Sequence, residues 1–334
     1  YNLETRKIIK LGSSSLVVSL PRDWVDKLKI QKGDEIDFEI REDGALIILP
    51  RHLVKIEDRE AEIIASPDFK EGRLERELIG AYLGYYSIIR LKAEDKFTKE
   101  QQLEISNRVK RLTGCQIIEA NPREIVIQNL LRIDELNIDK GIYRAYLLTL
   151  SMMKDCINSL REFNSELLDN ITQIDDDVDQ FYFLILKQLR TGLLDYKVMR
   201  KLKLKPVDCL DYFMVMQRIE HIADHICRIA EQLKILLSSK FENMVKELDE
   251  MLNTVYNIFG GAMDSFLIGN IDTANKIIND NMIFKNKKQG FRKWFEREKL
   301  NPELLVSFNL LTDSIFRISD YATDIAEVAI NRLI

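Results

Sequence analysis

RIEHIADHICRIAE at residues 218–231 and SIFRISDYATDIAE at residues 314–327 are two copies of one helical segment. Both copies end in Ile-Ala-Glu, and each carries an aspartate seven positions before that glutamate, Asp224 in the first copy and Asp320 in the second. At helical spacing these acids lie on one face of the helix. A row of carboxylates on one face is unfavourable unless a positive charge sits on it. The pair of segments therefore predicts a duplicated helical unit and makes a metal ion the first ligand to consider.

The stretch from about residue 139 to residue 334 has helical periodicity throughout. Its interruptions divide it into two three-helix units, at about 139–237 and 241–334. Gly260-Gly261 falls inside one helical pattern and is expected to loosen or kink that helix. The interruptions are Lys205-Pro206, Ser238-Ser239 and Asn301-Pro302.

Acidic pairs mark the candidate metal site of the first unit. Asp175 and Asp179 are four residues apart, as are Glu220 and Asp224, so two helices each offer an acid-x-x-x-acid pair that can meet across a bundle. Oxygen ligands of this kind suit Mg, Ca, Mn or Fe. The alternative is that the acids are solvated or paired with arginine, because charged residues are mostly exposed. The corresponding acids of the second unit are Asp280, Asp320 and Asp324, and the candidate arginine partners are Arg218, Arg228 and Arg317.

Two histidines lie on the same predicted helix as the second acidic pair. His221 and His225 are four residues apart, which is a possible zinc spacing. No HExxH motif surrounds them, and at ~100° per residue they point about a quarter-turn away from the acids. We expect both to be surface histidines.

The first fifty residues predict a small mixed domain. Residues 6–11 and 15–20 read as strands around a Gly-Ser-Ser turn, and Pro21 opens a short helix over residues 22–28. Residues 35–41 and 45–49 read as two further strands joined by an Asp43-Gly44 turn. Because a unit of this size hardly holds a core alone, dimerisation is the natural remedy.

Basic residues are concentrated in the first half of this small domain. Arg6, Lys7, Lys10 and Arg22 precede most of its acids, and a two-fold dimer would present this cluster twice. Such a basic face suits phosphates, so DNA binding is the favoured interpretation. The alternative is a dimerisation module whose charges are merely solvated.

Residues 52–135 alternate helix and strand and predict an α+β connector. Helices are predicted at 72–85 and 99–112, and strands at 86–91, 115–120 and 124–129. The connector carries no catalytic motif, and Cys115 reads as a small buried residue. Both a sensor and a spacer role remain open.

Composition bounds the function class. The chain has 334 residues, enough for two or three domains, and its net charge of −5 names no partner. No apolar run reaches the roughly 18 residues of a membrane span, and no signal peptide is visible. The 4 cysteines form no CxxC motif, which is typical of a reducing cytoplasm.

Two resemblances extend this reading. Residues 5–50, with Leu20-Pro21, Lys32-Gly33-Asp34 and Asp43-Gly44 in order, resemble the SpoVT/AbrB-like swapped-hairpin DNA-binding domain. The Arg-Ile-Glu-x-Ile-Ala-Asp pattern and the region 139–334 resemble the PhoU family of phosphate-uptake regulators, and the combination resembles its archaeal branch. The PhoU resemblance implies metal clusters at acid-x-x-x-Asp motifs, here Asp175, Asp179, Glu220 and Asp224. In the second unit Phe284 and Phe316 replace two of these acids, which puts that site in doubt.

The resulting expectation is a mainly α protein: two pseudo-repeated three-helix bundles preceded by a small swapped-hairpin β domain and a small α+β connector. The predicted domains are 1–51, 52–135 and 136–334. The resemblance implies a dimeric cytoplasmic regulator that binds DNA and divalent or trivalent metal ions, which purification can leave unbound. It also implies a phosphate transporter ATPase or a histidine kinase as partner. The alternatives are a metal-dependent adaptor that restrains a phosphate transporter without binding DNA, and a carboxylate–metal enzyme, for which no nucleophile–base pair is present.

Overall fold

The computed structural model describes residues 4–41, 44–51, 59–66, 68–70, 72–84, 86–131, 137–239, 245–287, 290 and 301–334. The chain forms two compact units, Tyr1–Asp58 and Arg59–Ile334. Some predictions lie outside the described residues: Asp43 of the hairpin turn, Tyr85 at the end of a predicted helix, and the boundaries at 52, 135–136 and 241.

The first unit, called the head, contains two antiparallel hairpins and a short helix. The strands form two separate two-stranded sheets, β1 with β2 and β3 with β4. Arg6 and Lys7 were predicted within the first strand, but they precede β1, because β1 and β2 pair over only three residues. The elements are β1 Ile9–Leu11, β2 Ser15–Val17, α1 Arg22–Lys27, β3 Ile36–Ile40 and β4 Leu46–Pro50.

The second unit begins with the connector, a four-stranded sheet with two helices. The strand order is β5-β6-β8-β7, with β5 parallel to β6 and the other neighbours antiparallel. The predicted helices and the last two strands are confirmed, whereas β5 was not predicted. The apolar core of the connector includes Leu78, Tyr82, Leu91 and Ile127. The elements are β5 Glu60–Ala65, α2 Arg73–Leu83, β6 Ile88–Ala93, α3 Lys99–Arg111, β7 Cys115–Ala120 and β8 Glu124–Asn129.

The rest of the second unit is helical, and the predicted mainly α fold is confirmed. Pro206 and Pro302 stand at the first positions of the two longest helices, where proline loses no helical hydrogen bond. The helices are α4 Ile138–Glu162, α5 Ile171–Leu194, α6 Tyr196–Leu202, α7 Pro206–Leu237, α8 Val245–Ile268, α9 Ile271–Asn286 and α10 Pro302–Leu333. The first repeat is α4, α5 and α7, with α6 as an insertion, and the second is α8, α9 and α10.

One apolar core runs through both repeats. The apolar stripe of α7 is fully buried, for Ile219, Ile222, Ile226 and Leu233 are each 0% exposed. Because this stripe faces the core, the acids of α7 lie on a different side of the helix.

Gly260-Gly261 does not interrupt its helix, since α8 is continuous from Val245 to Ile268. A Cβ on Gly261 would lie 2.4 Å from Cδ1 of Ile277 on α9. The glycine is therefore a close-packing position between α8 and α9 rather than the expected kink.

None of the helices in the described ranges is long and apolar enough to cross a membrane.

Candidate functional site

The four acids predicted for the first repeat lie together where α5 packs against α7. Asp175 and Asp179 are one turn apart on α5, and Glu220 and Asp224 are one turn apart on α7. The charges of these side chains act on one another across the two helices. We call this group the acidic cluster.

Burial and mutual repulsion make three carboxyls of the acidic cluster, those of Asp175, Asp179 and Glu220, hard to ionise. Burial, followed by the charges of Asp179 and Asp224, raises the pKa of Asp175 to about 7. Burial and then Asp224 raise the pKa of Asp179 to about 6. Burial, with Asp224 next, raises the pKa of Glu220 to about 8. Such a group holds its negative charges readily only when a cation is nearby.

Cys227 borders the cluster on α7. Its thiol is hydrogen-bonded to Asp175, and burial together with the Asp175 charge raises the thiol pKa well above its usual range. The thiol is therefore a neutral neighbour of the carboxyls under ordinary conditions.

The chemistry of the donor set fits a hard or intermediate cation, because four carboxyls supply oxygen ligands. Within the described ranges, no group of three or more His, Cys, Asp and Glu side chains is already arranged to hold a metal ion. To bind a cation, the carboxyls would have to turn toward one another. In the absence of the cation, the repulsion that helps to raise the pKa values of Asp175 and Glu220 disfavours that arrangement.

Basic side chains form ion pairs with two of the acids predicted for the second repeat. Lys285 on α9 ion-pairs with Asp320 on α10. Arg218 on α7 ion-pairs with Asp324 on α10 at 2.7 Å, so arginine pairing, the alternative to metal binding, applies to this acid. Asp280 lies elsewhere, in the wall of a cavity of about 640 Å³ between α8 and α9.

Phe284 and Phe316 replace the two missing acids of the second repeat with an apolar contact. Their ring centroids are 4.8 Å apart, and the residues are 3% and 4% exposed. The second repeat has therefore exchanged a pair of charges for aromatic packing.

The expectation that both histidines lie at the surface is wrong for His225, which is 8% exposed. The rings of His221 and His225 contact Tyr321 of α10, at centroid distances of 5.2 and 5.7 Å. Their polar face is the face on which α10 packs, because α7 and α10 cross along most of their length.

Sequence reasoning missed the residues that join the acidic cluster to the connector. Arg111 on α3 bonds Asp176 on α5 at 2.8 Å, and Arg108 acts on Asp179 through its charge. Arginine at these two positions was visible in the sequence, but nothing there indicated that α3 would dock on α5.

The four basic residues predicted to bind DNA are all exposed in the head. Lys10 lies in β1 and Arg22 opens α1. Arg22 is only loosely paired, since its guanidinium lies 3.7 Å from Asp26 and is 91% exposed. Arg6 ion-pairs with Glu4, and Lys7 follows it.

The head also leaves its apolar side chains uncovered. No residue of β1, β2 or α1 is buried. Leu16 is 70% exposed and Ile40 79% exposed. A lone hairpin with an open apolar face is marginally stable in water, and exposed apolar patches are typical of interaction surfaces.

Two helical repeats of matching plan, one with an acidic cluster and one with an aromatic replacement, define a duplicated bundle with an appended β-rich head. Residues 142–233 and 248–329 match the PhoU domain, together just over half of the chain, and the protein therefore belongs to the PhoU family. Residues 9–56 match the MazE antitoxin domain, described as antidote-toxin recognition, so the head is a MazE/AbrB-like domain.

Similar proteins carry related names. The chain is 22% identical over 183 residues to a phosphate-specific transport system accessory protein PhoU homolog from Clostridium acetobutylicum, covering 53% of this chain and 81% of that protein. Crystal structures of PhoU from Streptococcus pneumoniae and Pseudomonas aeruginosa align with TM-scores of 0.48 and 0.44 at 15% and 16% identity. Each alignment covers 58% of this chain, with 91% and 93% of the respective PhoU chains.

Proposed function

We propose that this protein is a dimeric regulator of phosphate uptake that binds DNA through its head and a metal ion through the acidic cluster. The observation that carries the proposal is the presence of a MazE/AbrB-like domain and two PhoU repeats in one chain. The role in phosphate uptake is proposed from the PhoU family and from the name of the clostridial relative.

DNA binding is supported by the placement of the basic residues. Arg6, Lys7, Lys10 and Arg22 are exposed at one end of the head sequence. Phosphate contacts by such residues release counterions, so the affinity must fall as salt rises.

Dimerisation is supported by the exposed apolar side chains of the head. A second copy that laid its hairpins against these would bury them and would double the basic surface.

Metal binding is supported by the raised pKa values of Asp175, Asp179 and Glu220 in the acidic cluster. Asp175, Asp179, Glu220 and Asp224 would hold the ion, and Mg, Mn, Ca or Fe suits their oxygen atoms. The ion would supply the positive charge that these carboxyls need. Because Lys285 and Arg218 already lie on Asp320 and Asp324, we propose that the first repeat is the metal-dependent one.

DNA binding should be measured at about 50 and about 200 mM salt with fluorescently labelled duplex. Wild type should bind and weaken with salt, and Arg6→Ala and Arg22→Ala should each bind more weakly and reduce the salt slope by about 1 per lost phosphate contact. Arg123→Ala is the matched control, since Arg123 is exposed but lies in the connector, where it pairs with Asp95.

If wild type binds no DNA at the lower salt, the DNA-binding part of the proposal is wrong. The second candidate would then be a metal-dependent adaptor that restrains a phosphate transporter. The description of the clostridial relative as a transport system accessory protein favours that candidate, with a transporter ATPase or a histidine kinase as partner.

A further inference from the structure

One stripe of α5 faces the connector. Arg111 on α3 bonds Asp176 at 2.8 Å, and Nε of Arg190 donates to the backbone oxygen of Leu83 at 3.3 Å. Between these two contacts, Nζ of Lys187 lies 4.0 Å from the ring centroid of Tyr82. The spacing of three or four residues puts the stripe on one face of the helix. Its members are Asp176, Asp179, Phe183, Lys187 and Arg190.

Arg108 lies half-buried at the acidic end of this interface. Its side chain is 13% exposed, ion-pairs with Glu75 of the connector, and lies 5.9 Å from the ring centroid of Phe183. Its charge also acts on Asp176 and Asp179 of α5. A guanidinium in this position is held by charges from both sides of the interface.

Asp179 is the residue that the interface and the acidic cluster share. On one side it faces the charges of Arg108 and Arg111, and on the other it faces Asp224. Glu220 in turn feels the charge of Asp179. A change in the charge around Asp179 therefore alters the electrostatic energy of both the connector interface and the acidic cluster.

We propose that Arg108 is the resident counter-cation of the acidic cluster, and that a bound metal ion competes with it and weakens the hold of the connector on α5. This inference rests on the proposed metal binding and names how that binding would be transmitted to the connector.

Two physical features favour competition over cooperation. A metal ion at the cluster neutralises Asp179 and repels the nearby guanidinium, because two cations at short range in a half-buried site are poorly screened. Glu75 offers Arg108 an ion pair within its own domain, so the arginine stays paired when the connector loosens. The coupling is reciprocal: if metal binding weakens the docking of the connector on α5, that docking weakens metal binding to the same extent.

The test is Mn²⁺ binding to the full chain by isothermal titration calorimetry. The variants are Arg108→Gln, Arg111→Gln and Arg108→Lys, with Arg123→Gln as the matched loss of one connector charge. Arg111→Gln is included because the Arg111 side chain is 42% exposed, so this variant should fold even if Arg108→Gln does not. Loss of either cation should tighten Mn²⁺ binding roughly fivefold or more, at the low end of couplings between sites. Arg108→Lys and Arg123→Gln should bind as wild type does.

Hydrogen exchange supplies a readout that a purely structural arginine would not change. Saturating Mn²⁺ should raise backbone exchange in α2 and α3 of wild type while leaving α10 unchanged.

The possible outcomes distinguish failure of the proposed metal site from failure of the proposed competition. If wild type binds no Mn²⁺ at millimolar concentration, the proposed metal site itself is wrong. If wild type binds Mn²⁺ but Arg108→Gln and Arg111→Gln bind equally well or more weakly, the site stands and the competition is refuted. Protection of α3 on adding Mn²⁺ would likewise overturn it.

Discussion

Replacing Glu220 with glutamine should stabilise the metal-free protein near pH 8 and should weaken its stabilisation by metal. The pKa of Glu220 is raised from 4.5 to about 8, mainly by burial and next by Asp224. Between these values the folded protein holds a proton that the unfolded chain releases. The protonated Glu220 carboxyl therefore makes its full contribution to the free energy of unfolding below about pH 4.5, and this contribution is lost as the pH rises through 8.

The size of the effect follows from that shift. The full shift corresponds to roughly 5 kcal/mol. The side chain is 21% exposed, and its repulsion is shared with three other carboxyls. Allowing for solvent screening, we expect Glu220→Gln to raise the free energy of unfolding by about 1–2 kcal/mol near pH 8 and by little near pH 5.

The assay is urea unfolding with a chelator or with excess Mn²⁺, at about pH 5 and about pH 8. Metal at about 100 times its Kd should add about 2.7 kcal/mol to wild type near pH 8. The double variant Glu220→Gln/Asp224→Asn should gain nothing from metal. Glu231→Gln, an exposed acid on the same helix, should behave as wild type does. A Glu220→Gln variant that is less stable than wild type near pH 8 in chelator would refute the reasoning, because it would show that the carboxylate is favourably paired.

Three further predictions concern the head, the second repeat and the connector interface. Residues 1–51 alone should sediment as a dimer, because their apolar side chains are open, and a folded monomer would contradict the proposed association. Phe284→Ala should lower the free energy of unfolding by about 3 kcal/mol in denaturant titrations, whereas Phe284→Leu should cost much less, since the ring packs against Phe316; equal costs would argue against this packing. Burial lowers the pKa of Lys187 to about 8, so Lys187→Met should raise stability by about 2 kcal/mol below pH 8, and the gain should shrink toward pH 10.5. A gain that does not change with pH would show that the charge of Lys187 is not its cause.

The sequence predicted the elements whose signals are local. The proline starts of α7 and α10 and the acid-x-x-x-acid pairs were readable because each depends on residues within one or two turns. The position of β5 was not predicted, because Glu-Ala-Glu-Ile-Ile-Ala alternates polar and apolar residues over its first four positions only. Its charged residues become intelligible only beside β6, where Glu60 pairs with Arg90 and Glu62 with Lys92.

The parts that could not be predicted depend on contacts between distant segments. His225 reads as a polar helix residue, and only the crossing with α10 buries it against Tyr321. The link between Arg111 and Asp176 likewise requires α3 to lie on α5. The aromatic replacements at Phe284 and Phe316 could be noticed in the sequence, but their contact with each other could not.

The pairing of Lys285 with Asp320, beside the Phe284–Phe316 contact, makes the two halves of the duplication chemically unequal. The cations on Asp320 and Asp324 come from the protein itself, Lys285 of α9 and Arg218 of α7, so the metal response that we propose belongs to the first repeat. Because one continuous core joins the two repeats, any rearrangement that metal binding induced in the first would have to be accommodated by the second.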